Sequence, residues 1–440
     1  MEQSRSKIIC KFIFPSIFFI FLTLMFIQCG NVYASSNTNI YTISVNNKNY
    51  KQFKNCIKSN QYKVKYEIPE IKVIQLELTD KQYKKVKQSN LVSKPRLTKP
   101  QVNKDVSYNK VLTSLIKIIN KGNINSFLVS NVHSTWDLNI TNQGYNFSFN
   151  HSSPKSKIAI LDSGISKKVK PINKNISKTS KNLVPKNGFN GRNKKESGDI
   201  NDIQDKSGHG TFVASQIVGA NGIYPNAKLA IYRTTIHGSG HPLWTINGIV
   251  KATKDNANII NISNGIYFNI EEMSFEDKQI YEAYKRAIEY AQNRNKLIVV
   301  AAGNNHLNFD NTNKDIVRQD VPSNFKNVIT VASTNKDNHL SSFSNYGKEY
   351  IDIAAPTGDV DLEKQRVYGI KGYDTNGNII SNNGTSFAAP KVSGALAFIT
   401  DKYSLYKFPF LARNILYYDA KKEKNYSYEK QGQGTLYLSQ

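Results

Sequence analysis

The chain has 440 residues, of which 39% are hydrophobic and 21% charged, so its composition is that of a globular protein of one to three units and not of a disordered chain. It carries 59 lysines and arginines against 33 aspartates and glutamates, a formal net charge of +26 that is spread along the whole length. No arginine-rich arm or zinc-finger spacing accompanies this charge, which argues against a nucleic-acid-binding protein. We interpret the charge as a solvated surface, with attraction to anionic cell surfaces or acidic substrates as the alternative.

Residues 1–34 have the pattern of a secretory signal peptide. Basic residues precede an apolar run from Phe12 to Ile27, and a small-x-small sequence ends at Ala34. This predicts a bacterial protein that is secreted or associated with the cell surface. The run is long for a cleaved signal, so an uncleaved membrane anchor is an alternative. Cys29 suggests a lipoprotein as a further alternative, but Gln28 before it is a poor match to a lipoprotein signal. Cleavage would leave Cys56 as the sole cysteine, so the exported part must fold without an internal disulfide.

Residues 35–96 are predicted to form a small α+β unit. YTISV alternates like a strand, residues 47–60 suit a surface helix, and Pro69 divides the next apolar stretch into two strands. The following DKQYKKVKQS is predicted to be a helix with Asp80 as its N-cap, which completes a βαββα order. Residues 97–124 are polar, with prolines and lysines, and read as a linker with a short amphipathic helix from Val111.

The last predicted unit, residues 125–440, combines buried strands with helices. Its short apolar runs are KIAILDSG, AKLAIYRT, ANIINIS, KLIVVAAGN and NVITVAS, as in strands buried on both faces. Between the third and fourth runs, one helical face is formed by Ile280, Ala283, Tyr284, Ala287, Ile288 and Ala291. This alternation predicts an α/β fold with a mostly parallel central sheet and helices on both faces. Such sheets carry their sites at the carboxyl ends of the strands.

Three polar residues stand where such a site would form. Asp162 ends the strand KIAIL, His209 lies in a glycine-flanked turn before an apolar helix, and Ser386 occupies a similar place in NGTSFAAPKVSGALA. Taken singly, each is better explained as a cap, turn or helix-start residue. In the order Asp, His, Ser, each with a glycine nearby, they match a nucleophilic site in which an imidazole takes the serine proton and a carboxylate orients the imidazole.

The motifs AILDSGI, GHGTFVAS, INISNG, VVAAGN and NGTSFAAPKVSGALA resemble those of the subtilisin-like serine protease family from about Lys157 to the end of the chain. The resemblance implies that Asp162 is the triad carboxylate, His209 the general base and Ser386 the nucleophile. It also implies that Asn304 supplies the side-chain donor of the oxyanion hole. The alternative for Asn304 is an ordinary turn asparagine after a strand.

The resemblance carries further expectations. Residues 35–96 would be a propeptide that assists folding and blocks the cleft until it is cut away, with an unrelated adhesion module as the alternative. No cofactor is required for the chemistry. Many relatives carry a calcium-binding insertion after the helix of the histidine, but here almost no loop follows that helix, so a structural calcium is left unassigned. The basic insertion at residues 167–197 is predicted to be a surface loop.

Substrate-binding residues are also implied by the resemblance. Ser263, Asn264 and Gly265 correspond to one edge that pairs with substrate backbone, and the opposite edge is formed by Gly238, Ser239 and Gly240. Alignment of DVPSNFKNVITVAS places Asp320 at the base of the primary specificity pocket, where it would pair with a basic side chain. A solvated loop aspartate is the alternative.

The only arginine between Lys7 and Leu161 is Arg96, which follows a proline at the end of the proposed propeptide. We therefore expect self-maturation between Arg96 and Leu97. A small exported enzyme of this kind is similar to lantibiotic leader peptidases, whose partner is a precursor peptide cut after Pro-Arg. The competing interpretations are a broad extracellular degradative subtilase, a catalytically dead binding protein with this fold, and a surface lipoprotein of immunity or adhesion type.

Overall fold

The computed structural model describes residues 38–95, 127–131, 135–142, 145–149, 155–188, 193–219, 221–236, 239–310, 318–361 and 366–439. Ala34, Arg96 and the helix predicted from Val111 lie outside these residues, so the predictions about them stay predictions. Within the described residues, the chain folds into a small N-terminal unit and a larger unit built on a parallel sheet.

The N-terminal unit has the predicted order of elements. These are β1 (Thr38–Ser44), α1 (Tyr50–Ser59), β2 (Lys63–Ile68), β3 (Val73–Thr79) and α2 (Asp80–Gln88). The strands form an antiparallel sheet in the order β1-β3-β2. A 3-10 turn, Pro69–Ile71, separates β2 from β3, since proline has no N–H to donate to a strand ladder. Phe53, Leu76 and Val86 belong to the core that joins the helices to the sheet.

The N-cap of α2 is Thr79, so the prediction of Asp80 for this position is wrong. Thr79 Oγ1 accepts a hydrogen bond from Gln82 N at 3.3 Å, and Thr79 N donates to Gln82 Oε1 at 2.8 Å. This reciprocal arrangement satisfies two backbone N–H groups at the helix start. Asp80 is instead the first helical residue, where its charge interacts favourably with the helix dipole.

Two short strands and a helix precede the parallel sheet in sequence. β4 (Phe127–Asn131) pairs antiparallel with β5 (Tyr145–Phe149), and α3 (Trp136–Asn142) lies between them along the chain. Leu138 of α3 is fully buried in the core of the larger unit. Trp136 Nε1 donates to the backbone oxygen of Gly369 at 3.3 Å. Helix α3 is therefore docked on the larger unit.

The larger unit is built on a parallel sheet of seven strands. They are β6 (Lys157–Asp162), β7 (Lys181–Asn182), β8 (Lys228–Arg233), β9 (Ile259–Ile262), β11 (Leu297–Ala301), β13 (Val328–Thr334) and β14 (Ile353–Pro356). Their order is β14-β13-β11-β9-β6-β8-β7, and every pairing is parallel. The predicted fold class is confirmed, and each apolar run singled out in the sequence forms one strand of this sheet.

Two antiparallel sheets accompany the parallel one. β10 (Ile266–Asn269) pairs with β12 (Arg318–Val321). The other sheet contains β15 (Gly358–Asp361), β16 (Arg366–Tyr373) and β17 (Ile379–Asn382). Strand β17 ends shortly before Gly384 and so leads into the helix that carries Ser386.

Helices cover both faces of the parallel sheet. They are α4 (Lys170–Asn173), α5 (His209–Ser215), α6 (Pro242–Lys254), α7 (Phe275–Gln292), α8 (Thr385–Lys402), α9 (Pro409–Asp419) and α10 (Tyr428–Gln431). Successive side chains of a strand point to opposite faces. Thus Ile160 of β6 packs in the core with α5, α8 and α9, whereas Leu161 packs in the core with α6 and α7. The helical face predicted from the sequence is buried in α7.

The basic insertion, residues 167–197, is only in part the surface loop that we predicted. It contributes α4 and the edge strand β7, and Ile172 and Val184 are buried. Near its end, Glu196 accepts two hydrogen bonds from the guanidinium of Arg233 in β8, at 2.8 and 2.6 Å, and both side chains are buried. Isolated apolar residues between the lysines thus anchor the insertion to the sheet edge.

The N-terminal unit is docked on α6 and α7 of the larger unit. Apolar residues that share a core with these helices are Ile68, Ile71 and Val73. The buried side chain of Gln279 in α7 accepts from Ser44 N at 2.8 Å and donates to Ser93 O at 2.9 Å. Arg286 of the same helix donates to Val45 O at 2.7 Å and to Ser93 Oγ at 2.6 Å. These bonds hold both the end of β1 and the chain after α2 against α7.

A buried ion pair joins α3 to α8, the helix that carries Ser386. Lys391 Nζ contacts Asp137 Oδ2, and the two side chains are 0% and 3% exposed. Burial lowers the pKa of the Lys391 ammonium, and Asp137 opposes that shift. If either partner were removed, the other would remain as an uncompensated buried charge.

We predict that Asp137→Asn lowers the free energy of unfolding by about 3–5 kcal/mol, the usual effect of removing one partner of a buried pair. Chemical denaturation in a Ser386→Ala background, which prevents autolysis, measures the change. Lys285→Gln is the matched control, because its surface pair with Glu289 is 51% and 55% exposed and such pairs contribute about 0.3–0.5 kcal/mol. Equal effects of the two substitutions would contradict this account of the buried pair.

Candidate active site

The three residues predicted as a catalytic triad stand at the ends of elements. Asp162 is the last residue of β6, His209 is the first residue of α5, and Ser386 is the second residue of α8. Asp162 and Ser386 are buried, and the imidazole of His209 is 19% exposed. Since the carboxyl ends of parallel strands lie at one edge of a sheet, a strand end and two helix starts can converge there.

Asp162 and His209 are in direct contact. The Nδ1 atom of His209 lies 2.8 Å from Asp162 Oδ1 and 3.0 Å from Oδ2. A proton on Nδ1 is therefore held by the carboxylate, which leaves Nε2 as the basic nitrogen. Burial acts to lower the pKa of His209, but the negative charges of Asp162 and Asp205 outweigh it and raise the pKa above its usual value. The pair thus stabilises the charged imidazole that forms when His209 accepts a proton.

The hydroxyl of Ser386 is not hydrogen-bonded to His209. It donates to the backbone oxygen of Ser263 at 3.2 Å, and His209 Nε2 is buried without a hydrogen-bond partner among the described residues. The ring of Phe387, next to the serine, lies 5.3 Å from the imidazole between ring centres. For His209 to take its proton, the hydroxyl must turn from Ser263 towards Nε2. Such bonds often tighten only when substrate binds.

Ser263 also holds the backbone of Ser386. Pro390 lacks an N–H, so the helical hydrogen bond that would end on Ser386 O cannot form. Ser263 Oγ donates to that oxygen at 2.8 Å instead. Asn261 Nδ2 in turn donates to Ser263 Oγ at 3.1 Å. Ser263 was predicted to bind substrate backbone, and the structure places both its hydroxyl and its carbonyl against the proposed nucleophile.

The side-chain amide of Asn304 is oriented by the start of α8. Its Oδ1 accepts from Thr385 N and from Thr385 Oγ1, both at 2.9 Å. With the oxygen held in this way, Nδ2 faces the other direction, and no described residue accepts a hydrogen bond from it. Gly384 precedes Thr385 with a φ of 132°, which L side chains rarely adopt. Asn304 Nδ2 and the backbone N–H of Ser386, the second residue of α8, can therefore donate to an oxygen that becomes negatively charged.

The predicted substrate-binding edges lie on two loops. Residues 263–265 connect β9 to β10, and β10 pairs antiparallel with the strand that contains Asp320. On the other side, Ser239 forms a bridge with Ile236, and Gly240 packs against Thr234 O. Gly238 lies outside the described residues. The structure thus brings the first edge and Asp320 together.

Asp320 lies beneath the first edge with one carboxylate oxygen free of hydrogen bonds. Its side chain is buried, and Oδ2 accepts from Tyr350 at 2.5 Å and from Ser323 at 3.0 Å. The other oxygen, Oδ1, has no partner among the described residues and faces Gly265, where an added Cβ would lie 2.6 Å away. Burial raises the pKa of Asp320 to about 7, although the bonds from Tyr350 and Ser323 oppose the shift. A buried carboxyl with a free oxygen suits the base of a pocket better than a solvated loop.

Comparison with known proteins agrees with this geometry. The sequence pattern of the subtilase family matches residues 153–434, which contain Asp162, His209, Asn304 and Ser386. This chain belongs to the subtilase family. It is a subtilisin-like serine protease, an enzyme that hydrolyses peptide bonds.

Several relatives of this subtilase have described roles or solved structures. The epidermin leader peptide-processing serine protease of Staphylococcus epidermidis is 34% identical over 429 residues, which cover 88% of this chain and 90% of that protein. The nisin leader peptide-processing serine protease of Lactococcus lactis is 32% identical over 67% of this chain and 48% of that protein. The crystal structure of the epidermin leader peptide-processing serine protease from Staphylococcus aureus matches with a TM-score of 0.75 at 30% identity, over 91% of this chain and 97% of that one.

The sequence analysis missed Asp205, which organises the start of α5 in this subtilase. Its Oδ2 accepts from Thr211 N at 2.9 Å and Thr211 Oγ1 at 2.7 Å, and its Oδ1 accepts from Gly208 N and Ser163 Oγ, both at 2.9 Å. Burial would raise the pKa of Asp205, but these bonds lower it. Because Gly208 has no side chain to cap the helix, Asp205 caps it from a distance. An acid four residues before His209 was the signal that could have revealed it.

In the part of the chain that the structure describes, no three His, Cys, Asp or Glu side chains are grouped so that they could hold a metal ion. None of the helices described there is long and apolar enough to span a membrane.

We predict that Asn304→Leu lowers kcat on a peptide substrate by about 10²- to 10³-fold with little change in KM, because the lost amide acts on the transition state. Removal of such a donor in subtilisin has an effect of this size. Asn305→Leu is the matched control, since this neighbouring side chain is exposed and bonds to the hydroxyl of Tyr267. Steady-state kinetics on both variants measure kcat and KM. A change confined to KM in Asn304→Leu would contradict the role of Asn304 as an oxyanion donor.

Proposed function

We propose that this subtilase removes the leader from a lantibiotic precursor peptide by cutting after arginine, with proline favoured before it. The observation that carries the arginine preference is Asp320, a buried carboxyl with a free oxygen and no cation in contact among the described residues. The leader-removing role is supported by the similarity, over most of this chain, to a protease named for processing the epidermin leader peptide.

Arginine suits this pocket for a physical reason. A guanidinium is always charged and has several N–H donors, so it can bond to Asp320 Oδ1 while Tyr350 and Ser323 continue to bond to Oδ2. A neutral side chain would leave the carboxyl without a counter-charge in a dry site. The pocket therefore gains most from a long basic side chain before the scissile bond.

The reaction follows from the geometry around Ser386. His209 Nε2 takes the hydroxyl proton as Ser386 Oγ attacks the carbonyl carbon of the arginine, and the bond from this carbon to the next nitrogen is the one that breaks. The resulting oxyanion accepts hydrogen bonds from Asn304 Nδ2 and from the start of α8. His209 then gives its proton to the leaving amine, and water releases the leader from the acyl-enzyme by the same steps in reverse. This sequence needs no cofactor.

The proposal extends to where the enzyme works. We propose that residues 1–34 direct export, so the protease acts outside the bacterial cell or at its surface. The net charge of +26 would favour association with an anionic surface or with an acidic leader.

We predict that Asp320→Asn lowers the preference for arginine over phenylalanine by about 150- to 5,000-fold, since a broken buried ion pair loses about 3–5 kcal/mol. The preference is the ratio of kcat/KM for two reporter peptides that differ only in the residue before the scissile bond. Asp337→Asn is the control, because that carboxyl is exposed. An unchanged ratio in Asp320→Asn would contradict the pocket assignment. Efficient digestion of casein without arginine preference would favour a degradative subtilase instead.

We also propose that residues 35–96 form a propeptide that the enzyme removes from itself between Arg96 and Leu97. The docking of this unit on α7 supports the proposal. Gln279 and Arg286 both bond to Ser93, three residues before Arg96, and so fix the chain that leads to the proposed cleavage site.

We predict that Ser386→Ala accumulates as the uncut chain, whereas the wild-type protein gives a new N-terminus at Leu97. N-terminal sequencing and intact mass identify the product. Arg96→Gln, with an intact Ser386, should block the same cut, and Lys94→Gln serves as its control. Normal processing of Ser386→Ala in the absence of active enzyme would assign maturation to another protease.

A further inference from the structure

Beneath the proposed arginine pocket, the phenol of Tyr350 bridges Asp320 to the strand end that leads to Asn304. The side chain of Tyr350 is buried. Its hydroxyl oxygen lies 2.5 Å from Asp320 Oδ2 and 2.5 Å from the backbone oxygen of Ala302. Ala302 is two residues before Asn304. One phenol therefore contacts both the specificity carboxyl and the segment that carries the oxyanion donor.

The proton count of this arrangement allows two states. A phenol has one proton, and the carbonyl of Ala302 can only accept. If Asp320 is ionised, Tyr350 donates to Oδ2, and the Ala302 oxygen is still satisfied by Asn345 Nδ2 at 2.8 Å. If Asp320 is protonated, its O–H donates to Tyr350, which then donates to Ala302. Both states leave Asp320 Oδ2, Tyr350 and Ala302 with hydrogen bonds.

The groups around Asp320 explain why both states are accessible. Two neutral hydroxyls contact the carboxyl: Ser323 follows it in the chain, and Tyr350 comes from the loop before β14. Burial, and to a lesser extent the charge of Asp320, raises the pKa of Tyr284 in α7. Tyr267 lies opposite Asp320 in the β10–β12 ladder. Among the described residues, no Lys, Arg or His side chain contacts Asp320, so the positive charge that favours ionisation of its carboxyl must come from a ligand. Burial raises the pKa of Asp320 to about 7, and burial and Asp320 together raise that of Tyr350.

We propose that Tyr350 is a specificity-determining residue: its hydroxyl donates a hydrogen bond to ionised Asp320 when a guanidinium occupies the pocket, and it accepts a hydrogen bond from protonated Asp320 when the pocket is empty. This inference rests on the proposed arginine preference. Tyr350 holds Asp320 Oδ2 in place, so that only Oδ1 of Asp320 is presented to the substrate. Binding of a cation then releases a proton from Asp320 to solvent.

The test measures binding without catalysis. Benzamidine, a small amidinium cation, is titrated into the mature enzyme by calorimetry at several pH values around 7 and in buffers of different ionisation enthalpy. For the wild type, we expect tighter binding as pH rises through the pKa of Asp320, because only the ionised carboxylate attracts the cation. Below that pH, binding should release protons.

Tyr350→Phe should weaken benzamidine binding at neutral pH by about tenfold or more, since a hydrogen bond to a charged group is lost. It should also move the gain in affinity to higher pH, because the ionised form of Asp320 loses a donor. The arginine-to-phenylalanine ratio of kcat/KM should fall in parallel. Tyr346→Phe, four residues earlier and half-buried, is the matched control and should change none of these quantities.

The outcomes separate the two proposals. If Asp320→Asn leaves benzamidine affinity and proton release unchanged, the arginine pocket itself is wrong. If Asp320→Asn abolishes both but Tyr350→Phe matches Tyr346→Phe in affinity, pH profile and substrate ratio, the arginine pocket stands and the role of Tyr350 is wrong. A purely structural effect of Tyr350→Phe would lower activity on both reporters equally, without the shift in pH, and would also contradict the inference.

Discussion

The hydrogen-bonded pair of Asp162 and His209 is the constraint on which the rest of the site depends. It ties the end of β6 to the start of α5 across the basic insertion, and Asp205, four residues before His209, caps the start of α5. The aromatic ring of Phe212 in α5 packs on Phe387 beside the proposed nucleophile, with 4.5 Å between ring centres. The placement of α5 therefore sets both the position of the imidazole and the packing of α5 on α8. Together these determine the distance between Ser386 Oγ and His209 Nε2.

Buried charges in this subtilase have different partners, and the difference indicates function. Lys391 lies against Asp137, and Arg233 lies against Glu196, so each of these buried charges has an opposite charge from another part of the chain. Asp320 has only hydroxyl donors on one oxygen and none on the other among the described residues. A protein gains no stability from such a carboxyl, because burial disfavours its charged form. A cationic ligand, as proposed above, would supply the counter-charge that the described residues do not.

Much of the fold could be predicted from sequence, because periodicity reports burial. The five apolar runs and the helical face of α7 were found in this way, and glycine-rich motifs marked Asp162, His209 and Ser386. Partners distant in sequence could not be found: nothing in the pattern links Asp137 to Lys391, or Asp320 to Tyr350. The hydrogen bond from Ser263 Oγ to Ser386 O uses the acceptor that the missing N–H of Pro390 leaves free in α8, and the sequence pattern does not indicate that Ser263 lies beside it. The anchoring of the insertion could not be predicted either, because its buried apolar residues are isolated among lysines and form no periodic pattern.

We infer that Ser386 becomes a nucleophile because His209 accepts its proton. Covalent labelling with a fluorophosphonate, followed by peptide mapping, measures this activation, since the reagent reacts with activated serine hydroxyls. We predict a single adduct on Ser386 in the mature enzyme and its loss in His209→Ala. An adduct on another serine, or undiminished labelling of Ser386 without the imidazole, would show that His209 does not activate Ser386.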